Sequence, residues 1–410
     1  MERIRTVHTA NAAARTAAGG CEASGGVPAR VFKFHAPEIV FGDDAMPEAA
    51  FAALRSGGSR PLVVTDAGVS AAGWPDRLVR ELRAEGMEPQ VWSGLTPNPK
   101  DHEIADGHRA YAGHGCDVII ALGGGSVIDA AKGIAILAAN GGAILDYVGI
   151  DRAASPIPPL LVVPTTSGSG ADVSQFCVVT DTQRRAKATI IGRALVPNVT
   201  VVDPRLLPTM PEWVNVTTGL DALTHGIEAY VSLARTPLTD RHALHAVRLV
   251  FGHLTATLER PDSMADRRAM ALASLEAGMA FSNAILGAAH AVSHQVGGML
   301  DATHGRINGI LLPHVIRFNA ETDPAPYADV AAALGLPVAG RAPQAAAWAV
   351  AEHVETLVAD VGMPSRLGSL GVRRADLPRL ARGAMEDACM TTNPRPADED
   401  AVVRLLGEAL

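Results

Sequence analysis

The chain changes character once, close to residue 205, and that change limits the folds open to it. From Phe32 to about Asp203, short β-branched runs alternate with longer Ala-rich segments of helical period, the pattern of βα units stacked around a parallel sheet. The clearest strands are 61–66, 117–122, 160–163 and 199–203. Beyond Pro211, segments 219–233, 240–258, 266–286 and 343–361 read as helices, with hardly a strand between them. Pro204, Pro208 and Pro211 crowd the junction, as expected where one pattern is broken off. We therefore expect a flexible extension over 1–30, an α/β domain with a parallel sheet over 31–208 and an all-α domain over 209–410.

Composition narrows the function classes. Of 410 residues, 48% are hydrophobic and 19% charged, which excludes a disordered chain and supports a well-cored soluble one. Net charge is −8 and no stretch gathers basic residues into a patch, so a nucleic-acid grip is not expected and the partner should be a small molecule. Cys21, Cys116, Cys177 and Cys389 are scattered without a Cys-x-x-Cys pair and read as reduced thiols of a cytoplasmic protein. The Ala-, Gly- and Thr-rich start lacks the apolar core of a secretory signal. Other apolar runs fall far short of the ~20 residues a membrane span needs. Fourteen His are present, and those at 225, 242, 245, 253, 290, 294, 304 and 314 crowd one region.

Two loops suggest a phosphate site. The strand ending at Leu122 runs into Gly123-Gly-Gly-Ser126, and 127–139 continues as a helix with Asp129 and Lys132 on its first turns. Glycines let the backbone come close to a ligand, and a helix N-terminus favours a pyrophosphate. A tight strand-to-helix turn without a ligand is the plain alternative. Pro164-Thr-Thr-Ser-Gly-Ser-Gly170 also follows a strand, so both loops should face one crevice at the carboxyl ends of neighbouring strands. The first βα turn, Asp66-Ala-Gly-Val, lacks Gly-x-Gly-x-x-Gly, which excludes an ordinary Rossmann dehydrogenase.

The helical half offers metal donors. Asp221 and His225 are four apart, as are His290 and His294, and a loop then brings His304. Residues four apart share one helix face. Three imidazoles and a carboxylate would suit a divalent ion with one position open for a substrate oxygen. Any one of these His could instead be a hydrogen-bonded core residue. His242, His245, His253 and His314 read as structural or surface groups, and donor identity does not separate Fe²⁺ from Zn²⁺.

Taken together, Gly123-Gly-Gly-Ser-Val-Ile-Asp-Ala-Ala-Lys132, Pro164-Thr-Thr-Ser-Gly-Ser-Gly, Thr218-Gly-Leu-Asp-Ala-Leu-Thr-His-Gly-Ile-Glu228 and Gly287-Ala-Ala-His-Ala-Val-Ser-His294 with the later His304-Gly resemble the iron-dependent, group III alcohol dehydrogenases from about residue 31 onward. The resemblance implies a Rossmann-like, dehydroquinate-synthase-like α/β domain ahead of the helical one. It implies Fe²⁺, with Zn²⁺ possible, on Asp221, His225, His290 and His304, and His294 beside the reacting carbon as the proton-handling residue. It also implies NAD bound by Asp66, Asn98, Gly124, Gly125, Ser126, Thr165, Thr166 and Lys187, with Asp66 disfavouring a 2′-phosphate. Phe281 and Cys389 match positions that line the substrate pocket. Ser169 and Asp172 depart from the family pattern and would reshape the wall beside the nicotinamide.

The expected activity is hydride transfer between a primary, short-chain alcohol and NAD, by a homodimer or larger assembly. Two rivals stand beside it. A dehydroquinate-synthase-like or glycerol-dehydrogenase-like relative is one, although the former would need a pocket rich in Lys and Arg. A regulatory or sensor protein of alcohol metabolism with little turnover is the other.

Overall fold

The computed structural model describes residues 31–338 and 340–410; the expected extension over 1–30 lies outside them. Val31–Lys33 have no regular secondary structure. From Phe34 on, nine strands are β1 (Glu38–Phe41), β2 (Pro61–Val64), β3 (Gln90–Trp92), β4 (Val118–Gly123), β5 (Gly149–Ile150), β6 (Leu160–Pro164), β7 (Phe176–Asp181), β8 (Ala186–Ile191) and β9 (Val199–Val202). Helices between them are α1 (Glu48–Arg55), α2 (Ala67–Ala71), α3 (Trp74–Ala84), α4 (Asp101–Gly113) and α5 (Gly125–Asn140). Beyond Pro211 the long elements are all helical: α6 (Glu212–Val231), α7 (Pro237–Glu259), α8 (Met264–Ala284), α9 (Ala288–Leu300), α10 (His304–Ala320), α11 (Pro326–Ala333), α12 (Pro343–Asp360), α13 (Leu377–Glu386) and α14 (Glu399–Ala409).

Six strands form one parallel sheet in the order β3-β2-β4-β6-β9-β1. Its central strands are apolar throughout because both faces are covered. Leu62, Val64, Ile119 and Ala121 pack on one side with Ile104 of α4 and Ile128 and Ile134 of α5. Val63, Val118, Ile120 and Leu122 pack on the other with Ala49 and Ala53 of α1 and Leu78 and Leu82 of α3. The chain leaves β2 outward to β3 and returns to β2's other side as β4, so the strand order reverses between β2 and β4, where ligands of open α/β sheets bind.

The uniform βα pattern expected up to Asp203 is interrupted. β7 and β8 form an antiparallel hairpin in a second, three-stranded sheet with β5. Its turn is closed by Asp181, whose carboxylate accepts from the backbone N–H of Gln183 and Arg184. Phe176 and Ile191 of this hairpin pack into the core of the helical half. Among the described residues no single helix is long and apolar enough to cross a membrane; α8 and α9 would be so only as a pair bent by 102°.

Candidate active site

Three helices converge in the helical core, and each presents polar side chains on one face. Asp221, His225 and Glu228 follow the i, i+4, i+7 spacing on α6; His290, Ser293 and His294 project from α9; His304 and Asn308 lie one turn apart on α10. His304 is thus the first residue of a helix, where the sequence suggested a loop. Oδ1 of Asp221 lies 3.7 Å from Nε2 of His290, 3.9 Å from that of His225 and 4.0 Å from that of His304. A tetrahedral set with bonds of roughly 2.1 Å has donors about 3.4 Å apart, close to the spacing of Asp221 from each ring; the donor atoms of Asp221, His290 and His304 all lie within 4.8 Å of one another, and His225 stands outside that group. Two glycines permit the approach. A Cβ at Gly305 would overlap the Thr217 carbonyl oxygen of α6, and one at Gly168 would overlap that of Thr218.

Each ring is held through its other nitrogen. Nδ1 of His290 donates to Glu228 at 2.6 Å, and Nδ1 of His225 to the Gly168 carbonyl at 3.1 Å. Both partners accept only, so a proton sits on Nδ1 and Nε2 turns toward Asp221. Nδ1 of His304 bonds Ser293 Oγ at 2.9 Å. Glu228 also accepts from the N–H groups of Gly287 and Ala289, which caps α9 and ties its entry to α6. Glu228, Ser293 and Asn308 carried no expectation from sequence, though Glu228 and Asn308 repeat the helical spacing of the donors beside them.

The site gathers negative charge and favours a cation. Burial would push Asp221 up, but His225, His304 and His290 outweigh it and hold the carboxyl well below its usual range. Burial pushes His225 down to about 4 and His304 well below the ordinary His value. For His290, burial is outweighed by hydrogen bonds to Asp221 and Glu228, which push it up to about 9. An ionised carboxylate beside neutral His225 and His304 is ready to bind a divalent metal, whereas His290 would give up a proton on binding one.

His294 lies against this set, its ring stacked on His304 with centroids 5.2 Å apart. Its Nδ1 bonds Asp387 at 2.8 Å, and Asp387 in turn accepts from the backbone N–H of Cys389. Cys389 is buried, and its thiol is pushed far up by burial first and by Asp387 next. Phe281 is also buried, stacked on His225 with centroids 4.3 Å apart and tilted against Phe176. Both expected pocket residues therefore touch groups of the site.

Six of the expected cofactor residues, Asp66, Gly124, Gly125, Ser126, Thr165 and Thr166, follow the carboxyl ends of β2, β4 and β6; Asn98 follows β3. Gly124 caps α5 and Gly125 opens it. A Cβ at Gly124 would press on Thr166, and one at Gly125 on Ser169, so the two loops lie against each other as adjoining strands require. Thr165 N–H bonds the Gly123 carbonyl, and the Asn98 N–H bonds Ser126 Oγ at 3.1 Å. Asp66 lies two residues past the end of β2 and caps α2 by accepting from Val69 N–H at 2.8 Å. Lys187, on β8, has its ammonium pKa lowered by burial against the pull of Asp129, Asp221 and Asp301. Lys132 points away from the crevice. It is fully buried and donates to the carbonyls of Ala171, Ser174 and Phe176 at 2.7, 2.7 and 2.8 Å, fixing the segment that carries Asp172. Asp172 itself is buried, its carboxyl pushed up to about 6 by that burial.

Comparison with known proteins agrees with this arrangement. Residues 36–204 match the family model of iron-containing alcohol dehydrogenases, and 215–410 match the C-terminal model of the Fe-containing alcohol dehydrogenase family. The chain is 37% identical over 383 residues to the 1,3-propanediol dehydrogenase of Klebsiella pneumoniae, covering 93% of this chain and 99% of the relative. It is 35% identical over 377 residues to the NAD-dependent methanol dehydrogenase of Bacillus methanolicus, covering 92% and 99%. A crystal structure of 1,3-propanediol oxidoreductase superposes with a TM-score of 0.90 at 37% identity, over 93% of this chain and 100% of that one. The chain belongs to the iron-containing alcohol dehydrogenase family. It is accordingly an NAD-dependent alcohol oxidoreductase, and the rival readings as a sensor or a dehydroquinate-synthase-like relative are not favoured.

Proposed function

We propose that the protein interconverts a short primary alcohol or diol and its aldehyde, with Fe²⁺ on Asp221, His225, His290 and His304. NAD lies in the cradle of Asp66, Asn98, Gly124, Gly125, Ser126, Thr165, Thr166 and Lys187. The observation that carries this reading is the pairing at Nδ1: His225, His290 and His304 are each engaged there, leaving three Nε2 atoms around one ionised carboxylate. A divalent ion fits that donor chemistry.

When bound, the cation supplies a Lewis acid and the nicotinamide a hydride acceptor. The chain's own residues do the rest. Glu228, Gly168 and Ser293 orient the donor rings. His294, steadied by Asp387, uses its free Nε2 to hold and move the hydroxyl proton. Phe281 and Cys389 supply a compact apolar wall, in keeping with the small alcohols named in the relatives 1,3-propanediol dehydrogenase and methanol dehydrogenase. We infer a cytoplasmic location from Cys116, Cys177 and Cys389, three buried free thiols of the kind a reducing compartment preserves.

The test is NADH formation from 1,3-propanediol, ethanol and methanol before and after chelation. Turnover should vanish with the metal and return with Fe²⁺. Turnover untouched by complete chelation would overturn the proposal.

A further inference from the structure

Building on the metal reading above, we propose that Asn308 is a fifth donor to the cation, through its amide oxygen, and that this donor selects Fe²⁺ over Zn²⁺. Asn308 is fully buried on α10, one turn after His304. Its Nδ2 stands 2.7 Å from Oδ1 of Asp221 and 3.0 Å from Nε2 of His290. Its Oδ1 is buried without a hydrogen-bond partner. An amide aimed at two donor atoms, with its only acceptor idle, is not explained by packing, because a buried polar atom without a partner costs about 1–3 kcal/mol.

The lone pairs decide which end of the amide faces a cation. His290 points its Nδ1–H at Glu228, so with a cation bound its Nε2 offers a single lone pair. A cation on that lone pair takes the acceptor that the Asn308 N–H uses, and positive charge repels an N–H. A half-turn of the amide, whose two ends are nearly equal in size, brings Oδ1 to the position of Nδ2. That position is 2.7 and 3.0 Å from the two donors, and donors at right angles around an ion with bonds of roughly 2.1 Å are about 3.0 Å apart. The turn gives up the Nδ2–H bond to Asp221 and gains an ion–oxygen contact.

Ion choice follows from the count of donors. Zn²⁺ is content with four in a tetrahedron, whereas Fe²⁺ accepts more positions with mixed nitrogen and oxygen donors. Loss of the amide oxygen should therefore cost Fe²⁺ more than Zn²⁺.

The experiment is anaerobic titration of the metal-stripped full chain with Fe²⁺ alone and Zn²⁺ alone against a chromophoric chelator, for wild type, Asn308→Leu and Asn308→Asp. Folding is checked by circular dichroism. Asn308→Leu should bind Fe²⁺ roughly ten-fold or more weakly and Zn²⁺ within about three-fold of wild type. Asn308→Asp keeps an oxygen donor and should bind Fe²⁺ at least as tightly as wild type. Wild-type Fe²⁺ affinity in Asn308→Leu would overturn the inference. So would Asn308→Asp weakened alongside Asn308→Leu, which would make Asn308 an N–H donor that orients Asp221. If Asn308→Leu does not fold, Asn308→Asp decides alone. A wild-type chain that binds neither ion stoichiometrically would overturn the metal reading, and this inference with it.

Discussion

The cradle at the ends of β2, β4 and β6 and the donor set on α6, α9 and α10 are built by opposite means. The cradle relies on backbone: Gly124 and Gly125 at a helix start, pressed against the Thr166 to Ser169 loop. The donor set relies on side chains fixed by other side chains, as Glu228 fixes His290 and Asp387 fixes His294. Backbone sites tolerate change at side chains but not at glycine, whereas side-chain sites fail at the partner as well as at the donor. Gly168 belongs to both, because it sits in the cradle loop and its carbonyl accepts from His225.

Gly168→Ala should therefore give the largest effect. The added Cβ overlaps the Thr218 backbone, and a destabilisation of about 3 kcal/mol or more is expected in denaturant unfolding. An alanine variant of wild-type stability would break the link between the two regions. Asp387→Asn should lower kcat on the order of 10²-fold while metal content stays at the wild-type level. Loss of metal in that variant would mean that His294 and the donor set are not separable.

Asp172 tests the loop that Lys132 fixes. Burial raises its carboxyl from 3.8 to about 6, so the folded chain holds that proton more tightly than the unfolded one. The contribution is complete below about pH 4 and is lost as pH rises through about 6. Asp172→Asn cannot ionise, so it should exceed wild type by about 3 kcal/mol above pH 7 and equal it near pH 4, read from melting curves. A constant difference at both pH values would contradict this. The smallest effect is expected at Asp66. Asp66→Ser can still cap α2 but loses the carboxylate, and kcat/KM with NADP should rise about ten-fold relative to NAD. An unchanged ratio would remove Asp66 from the ribose.

How much of this is legible in sequence follows from how local each signal is. The parallel strands and the change of pattern near Pro204 to Pro211 are local, and so is the i, i+4 spacing of Asp221 with His225 and of His290 with His294. The β7–β8 hairpin is not, because its turn has no glycine and Arg185 adopts the left-handed conformation, with φ of 52°. Lys132 sits where a phosphate ligand would be sought, yet it is turned into the Ala171 to Phe176 segment. Glu228, Ser293, Asn308 and Asp387 gain meaning only from tertiary contact. Asp387, for example, is 93 residues from the ring that it holds.

We propose that one cation sits among Asp221, His225, His290 and His304 and is required for turnover. The most direct test is elemental analysis together with NAD-linked turnover of the wild type and His304→Ala. One divalent ion per wild-type chain is expected, and loss of that ion with turnover reduced on the order of 10³-fold or more in the variant. Full turnover by metal-free His304→Ala would contradict it.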